Sequence, residues 1–334
     1  MRVFACPKCG AWVEFEDRMC LACSTSLAYS PDRDDIVLAD AEVLCGFREQ
    51  IGCNWVADPE GDGECASDRL TVERPGEGDP VAIVQLAVAE QAKRRLVRQL
   101  RHLGLPIEVR AGDHGLGFAL KSPADGEQVL TGHADGLITI NLTEASDPHR
   151  EEVRIQLGEP YRTMLGHLRH EIGHYYWLVL VDEQPEVEPF RQLFGDERQD
   201  YGDALTAHYG NGDAGDWATD HISQYATMHP WEDFAETFAH YLHIADVLET
   251  TASVGVTVDG PTGVPAPLAG SISSRGAADI SGLTMPEVLT RWHGFSLAVN
   301  AINRSMGEPD LYPFVLTPAI GEKLAQVHDL VRGV

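Results

Sequence analysis

Two histidines four residues apart, with a glutamate directly after the first, constrain this chain more than any other stretch: His170-Glu171-Ile172-Gly173-His174. On a helix, residues four apart lie on one face, so His170 and His174 can aim two imidazoles at one zinc ion. Glu171 falls beside them, placed to take a proton from a water at that point. The pattern therefore requires a helix, a third ligand and a surface on which a substrate can lie. The helix is predicted from Pro160 to about Val181. Pro160 suits a first turn, and Met164, Leu165, Leu168, Ile172, Tyr175 and Tyr176 supply its apolar surface. His167 shares the side of the two histidines and is read as a neighbour of the metal or a core residue, not as a ligand.

Two histidines leave a zinc site incomplete. A histidine six residues after the second is one solution, but position 180 is Leu180, and Trp177 stands where that pattern has glycine. A glutamate from a later helix is the other solution. The stretch from His229 to His243 fits, with Pro230 to open a helix and Phe234, Phe238, Tyr241 and Leu242 to bury one face. Glu232 and Glu236 are four apart and face the same way. Two carboxylates beside an apolar stripe are costly to bury without a cation. Glu232 is assigned as the third zinc ligand, and Glu236 as the carboxylate that holds a ligand histidine by its other ring nitrogen. The competing reading is an amphipathic helix with solvated acids.

All seven cysteines lie before residue 66. Cys6-x-x-Cys9 and Cys20-x-x-Cys23 can supply four thiolates to a tetrahedral structural zinc, with Gly10 permitting the tight turn. Residues 1–30 are read as a zinc ribbon. A pair of redox dithiols is disfavoured because a segment this small needs a staple to fold. The ribbon either docks a protein partner or caps the rest of the chain. Residues 31–78 are read as an irregular segment rich in Asp, Glu, Gly and Pro. Cys45, Cys53 and Cys65, with Asp68 closing a C-x-x-C-like spacing, could hold a second structural zinc. Buried free cysteines are the preferred reading there.

Clustered cysteines of this kind suit a reducing compartment, and the expected localisation is cytoplasmic. The N-terminus has no apolar run of signal-peptide type, and no stretch of ~20 apolar residues offers a membrane span. The net charge is −27, from 25 basic and 52 acidic residues, which argues against a nucleic-acid partner.

Residues 79–334 are read as one domain. A helix starts near Val81 and ends before Gly104 and Pro106. Val84, Ala87, Val88, Ala92, Leu96, Leu100 and Leu103 form its apolar face. Lys93, Arg94, Arg95, Arg98 and Arg101 lie opposite, solvated or paired with acids. Strands are expected at Leu116–Leu120, Gln128–Thr131 and Leu137–Leu142. The last is a candidate sheet edge on which an extended peptide could add as a strand. An internal strand is the equal alternative. Residues 255–274 are read as a connector, and helices close the chain near 285–303 and 318–331.

Glu232-Asp233-Phe234-Ala235-Glu236 resembles the E-x-F-A-E helix of gluzincins related to lethal factor, in which the first Glu binds zinc. In that group a tyrosine seven residues earlier stabilises the oxyanion, a role the resemblance gives to Tyr225. A wider set of motifs runs through the chain: Gly52-Cys53-Asn54-Trp55, Thr131-Gly132-His133, Tyr161-Arg162-Thr163, Phe194-Gly195-Asp196-Glu197-Arg198, His229-Pro230-Trp231-Glu232-Asp233 and Asn303-Arg304-Ser305-Met306-Gly307. With the cysteine ribbon and the His170 helix, they resemble the bacterial zinc-binding metallopeptidase family with an N-terminal zinc ribbon. Asp68 departs from the cysteine that the resemblance implies at that position.

The expected fold is α+β, a zinc ribbon followed by a mainly helical zincin-like domain with a small sheet. The expected activity is zinc-dependent hydrolysis of an amide bond in a peptide or protein, with Glu171 as general base. The alternative is a non-enzymatic zinc-binding interaction module. A fourth protein ligand at the histidine site, such as His167 or His229, would favour that alternative.

Overall fold

The computed structural model describes residues 2–76, 78–123, 129–146, 162–182, 187–211, 215–259, 271–273 and 279–334. The fold is α+β, with an N-terminal cysteine-rich ribbon and a mainly helical remainder. The chain divides into two compact units, Met1–Glu171 and Ile172–Val334.

The first unit opens on two hairpins. β1 (Phe4–Ala5) pairs antiparallel with β2 (Trp12–Val13), and β3 (Leu27–Ser30) with β4 (Asp35–Leu38). Strands this short cannot stand on ladder hydrogen bonds alone. An aromatic cluster holds them: Phe15 meets Tyr29 edge-on at 4.8 Å, and Tyr29 meets Trp55 at 5.0 Å. The segment read as irregular is therefore structured. It contributes Trp55, β4, the one-turn helix α1 (Arg48–Ile51) and β5 (Thr71–Glu73). Elements of three or four residues are too short to show a period, which is why the sequence carried no signal for them.

α2 (Pro80–His102) begins where Asp79 accepts from the backbone of Val81 and Ala82 at 3.0 and 2.9 Å. Its buried stripe is Ala82, Leu86, Ala89, Leu96, Val97 and Leu100, whereas Val84 and Val88 are exposed. The expected apolar face was thus out of phase in the first two turns. The basic side is for the most part paired with acids, although Arg101 is exposed. Lys93, Arg94 and Arg98 are buried. Lys93 pairs with Glu90 at 2.8 Å, and Arg98 meets both oxygens of Asp34 at 3.0 Å. Arg95 pairs with Glu16 and Arg101 with Asp32. The acidic excess of the chain supplies these partners, and they tie α2 to the turns of the ribbon region.

A four-stranded sheet follows, containing β5, β6 (Gly117–Lys121), β7 (Gly132–Ala134) and β8 (Leu137–Asn141) in the order β5-β6-β8-β7. β6 is parallel to β5 and to β8, and β7 is antiparallel to β8. β8 is therefore internal, paired on both sides: the alternative of an internal strand holds, the reading of Leu137–Leu142 as a sheet edge is corrected, and the edge strands are β5 and β7. A strand over Gln128–Thr131 is not found. Gln128 lies outside the described residues, and pairing begins only at Gly132.

The metal-helix candidate, α3 (Met164–Trp177), passes through the division between the units. Its predicted start at Pro160 lies outside the described residues. In the second unit the chain leaves α3 by a π-helical turn, Leu178–Asp182. Then come α4 (Glu188–Phe194), α5 (Tyr201–Asn211), the long α6 (Pro230–Val254), α7 (Met285–Ser305) and α8 (Pro318–Arg332). α6 is central and packs against α4, α7 and α8. It runs from the cap at His229 to Gly255, whose left-handed backbone (φ +72°) closes it. The stretch read as a connector is paired at its ends: β9 (Thr257–Asp259) is antiparallel to β10 (Ser271–Ser273).

Candidate metal centres

His170 and His174 stand one turn apart on α3, as the spacing demands. Within the second unit, α3 and α6 come together through Gly173. A Cβ built on Gly173 would lie 2.8 Å from the Cα of Ala235, so glycine is what lets backbone meet backbone. Tyr176 stacks on Phe238 at 5.3 Å, and Trp177 packs on Trp231 at 5.3 Å. This register brings Glu232 Oε2 to 3.4 Å from His174 Nε2. With His170 one turn back, one donor atom from each of His170, His174 and Glu232 lies within 4.8 Å of the others. Two imidazoles and a carboxylate are a zinc donor set. Glu232 is only 2% exposed, and a cation is what relieves a carboxylate so placed. Glu171, also buried, follows His170 directly.

The neighbouring histidines are engaged elsewhere. His167 Nδ1 meets Glu144 at 2.6 Å. Burial opposes ionisation of Glu144, but hydrogen bonding and charge from His167, followed by Thr131 and Arg162, hold it down at about 2. His229 caps α6: its Nδ1 accepts from the backbone of Trp231 at 3.1 Å, which leaves Nε2–H to donate to the carbonyl of Gln199 at 3.1 Å. Glu236, one turn beyond Glu232, is half-buried, and its charge bears on His240 and Tyr312. Tyr225 opens a short 3-10 turn and is half-buried, with its ring 6.0 Å from that of His208.

One residue was missed. Tyr201 donates its phenol hydrogen to Glu232 Oε1 at 2.7 Å. No motif in the sequence marks this contact, which spans 31 residues of chain.

The ribbon cysteines converge as expected. Cys6, Cys9, Cys20 and Cys23 place their sulfurs within 4.8 Å of one another, and none of the seven cysteines is in a disulfide. Each knuckle closes with a backbone bond four residues back, Gly10 to Cys6 at 2.9 Å and Ser24 to Cys20 at 2.8 Å. Gly10 takes the left-handed conformation there, and Ser24 does so too (φ +56°), where glycine is usual.

The second cysteine group departs from the preferred reading of free thiols. Cys45, Cys53, Cys65 and Asp68 are all buried, and their ligand atoms also lie within 4.8 Å. Cys65–Asp68 repeats the knuckle, with Arg69 N bonded to the carbonyl of Cys65 at 3.0 Å. Asp68 Oδ2 accepts from the thiols of Cys45 and Cys65 at 2.8 and 3.1 Å, while Oδ1 is buried with no hydrogen-bond partner. Burial first, with the Glu90 charge adding, pushes Asp68 up to about 7. Three thiols crowding a buried, under-satisfied carboxylate fit a cation, because thiolates and carboxylate are stable together only around one.

Residues 83–330 match the family described as "Putative zinc-binding metallo-peptidase", and residues 3–77 match a zinc-ribbon domain. The chain belongs to this metallopeptidase family. Uncharacterized proteins from Mycobacterium tuberculosis (strain H37Rv) and Mycobacterium bovis are each 44% identical to it over 341 residues, spanning 100% of this chain and 96% of the relative. No solved structure matches it. Among the described residues, no helix is long and apolar enough to cross a membrane.

Proposed function

We propose that the chain is a zinc-dependent hydrolase that cuts amide bonds in peptides or proteins, with its reacting centre at His170, His174 and Glu232. The observation that carries this reading is the donor count. The group has three members among the described residues, and His167 and His229, the histidines nearest its members along the chain, are engaged by Glu144 and by the cap of α6. Three protein donors with a place left for water are the mark of a catalytic rather than a structural zinc.

When bound, the zinc lowers the pKa of a water toward ~7 and polarises the carbonyl. Glu171 takes the proton from the attacking water and returns it to the leaving amine. Tyr225 donates a hydrogen bond to the carbonyl oxygen as charge develops there, an interaction worth roughly 3 kcal/mol when a single donor provides it. Glu236 steadies a ligand histidine. The two cysteine groups hold structural zinc, and the ribbon offers a surface to a protein partner. The abundance of free, clustered cysteines suits the reducing cytoplasm.

A peptide-library digest comparing wild type with Glu171→Gln, with zinc measured on both, tests this reading. Cleavage lost with zinc retained is the expected result. Cleavage that survives the substitution removes Glu171 from its role.

A further inference from the structure

Glu232 divides its two oxygens. Oε2 faces His174 Nε2 at 3.4 Å, on the side of the proposed zinc. Oε1 accepts the Tyr201 hydroxyl at 2.7 Å. The tyrosine is itself anchored. Asp200 caps the start of α5 by accepting from the backbone of Asp203 at 2.8 Å, which sets Tyr201 at the first helical position. Its ring lies 5.4 Å from that of His229 and 6.3 Å from that of Trp231. His229 is pinned through both ring nitrogens. Tyr201, His229, Trp231 and Glu232 thus form one rigid corner at the N-terminus of α6, and the phenol is its contact with the carboxylate.

We propose that Tyr201 is a positioning residue that presents Glu232 to the zinc through Oε2 alone, an inference that rests on the metal site proposed above. A carboxylate with both oxygens free swings and can clamp a metal with either or both. One whose Oε1 is held by a hydroxyl offers a single oxygen in a fixed direction and leaves coordination room for water. Partners of this kind typically account for ~10–100-fold in metal affinity.

The test is zinc titration against a competing indicator, using full-length protein relieved of the histidine-held ion by a mild chelator while the thiolate-held ions stay in place. Tyr201→Phe keeps the ring and its packing and removes the hydroxyl alone. Its zinc dissociation constant is expected to rise ~10-fold or more, with the thiolate-held zinc unchanged. Tyr225→Phe should leave zinc affinity at the wild-type value. In cobalt-substituted protein, Tyr201→Phe should weaken the visible absorption, as a carboxylate freed to bind through both oxygens raises the coordination number. In a Glu232→Ala background, Tyr201→Phe should lower affinity no further. Wild-type affinity in Tyr201→Phe, or a full further loss in the Glu232→Ala background, overturns the inference and leaves the metal site standing. Wild type that takes up no zinc beyond the thiolate-held ions overturns both.

Discussion

Gly173→Ala isolates the close approach on which the histidine centre depends. The new Cβ would meet Ala235 Cα at 2.8 Å and Ala235 O at 3.0 Å, where ordinary contact begins near 3.4 Å. Both neighbours are backbone atoms and cannot swing aside, so α3 and α6 must separate by about 0.6 Å. Overpacking of this kind costs ~1–3 kcal/mol. Alanine's better helix propensity offsets up to ~1 kcal/mol of that. The net loss in fold stability is therefore small, ~0–2 kcal/mol. The centre is less tolerant. His174 and Glu232 sit on the two helices being pushed apart, and metal–ligand distances hold to about ±0.2 Å. Zinc affinity should fall at least ~10-fold, a loss of ~1.4 kcal/mol or more. The assay pairs a thermal melt of metal-stripped protein with a zinc titration. A variant that melts higher and binds zinc like wild type would mean that the helices do not touch at Gly173.

Glu232→Ala should lower zinc occupancy more than Glu236→Ala does, and the reverse order would exchange the two assignments. Cys53→Ala should remove one of three zinc ions per chain, leaving the Cys6 group loaded; unchanged metal content would return Cys45, Cys53 and Cys65 to free thiols. Glu144→Gln should destabilise the protein at neutral pH by roughly 2–3 kcal/mol, since a carboxyl held at about 2 in the fold ionises near ~4.3 when unfolded. That contribution is complete above the unfolded value and disappears as pH falls toward 2. The wild type should therefore lose stability through this acid range more steeply than the variant, and parallel acid-unfolding curves would contradict the assignment.

The two helices of the histidine centre were legible because their residues sit at helical spacing. His170 and His174 are four apart, and Pro230, Phe234 and Phe238 mark a start and a buried face. The first cysteine group was legible for a similar reason, since a knuckle is a local structure with a fixed spacing. Cys45, Cys53, Cys65 and Asp68 were legible only as an alternative to free cysteines, because the chain between them carries no period and their convergence shows only in the folded chain. Whether the basic residues of α2 are solvated or paired was not decided by the sequence, because their partners, Glu16, Asp32 and Asp34, lie far away along the chain. Leu137–Leu142 reads as a strand from its alternation, but alternation does not say which strand pairs beyond it. Tyr201 is the same difficulty at the scale of one side chain: its position follows from its Asp200 cap, and its partner from tertiary packing alone.

Diffraction at the zinc absorption edge, from crystals of the zinc-loaded protein, reads directly whether the histidine pair holds an open three-ligand zinc. An anomalous peak bonded to His170, His174 and Glu232 is expected, with a fourth position filled by water or another small molecule. A peak whose fourth ligand is a side chain, or no peak between these residues in zinc-replete protein, would contradict it.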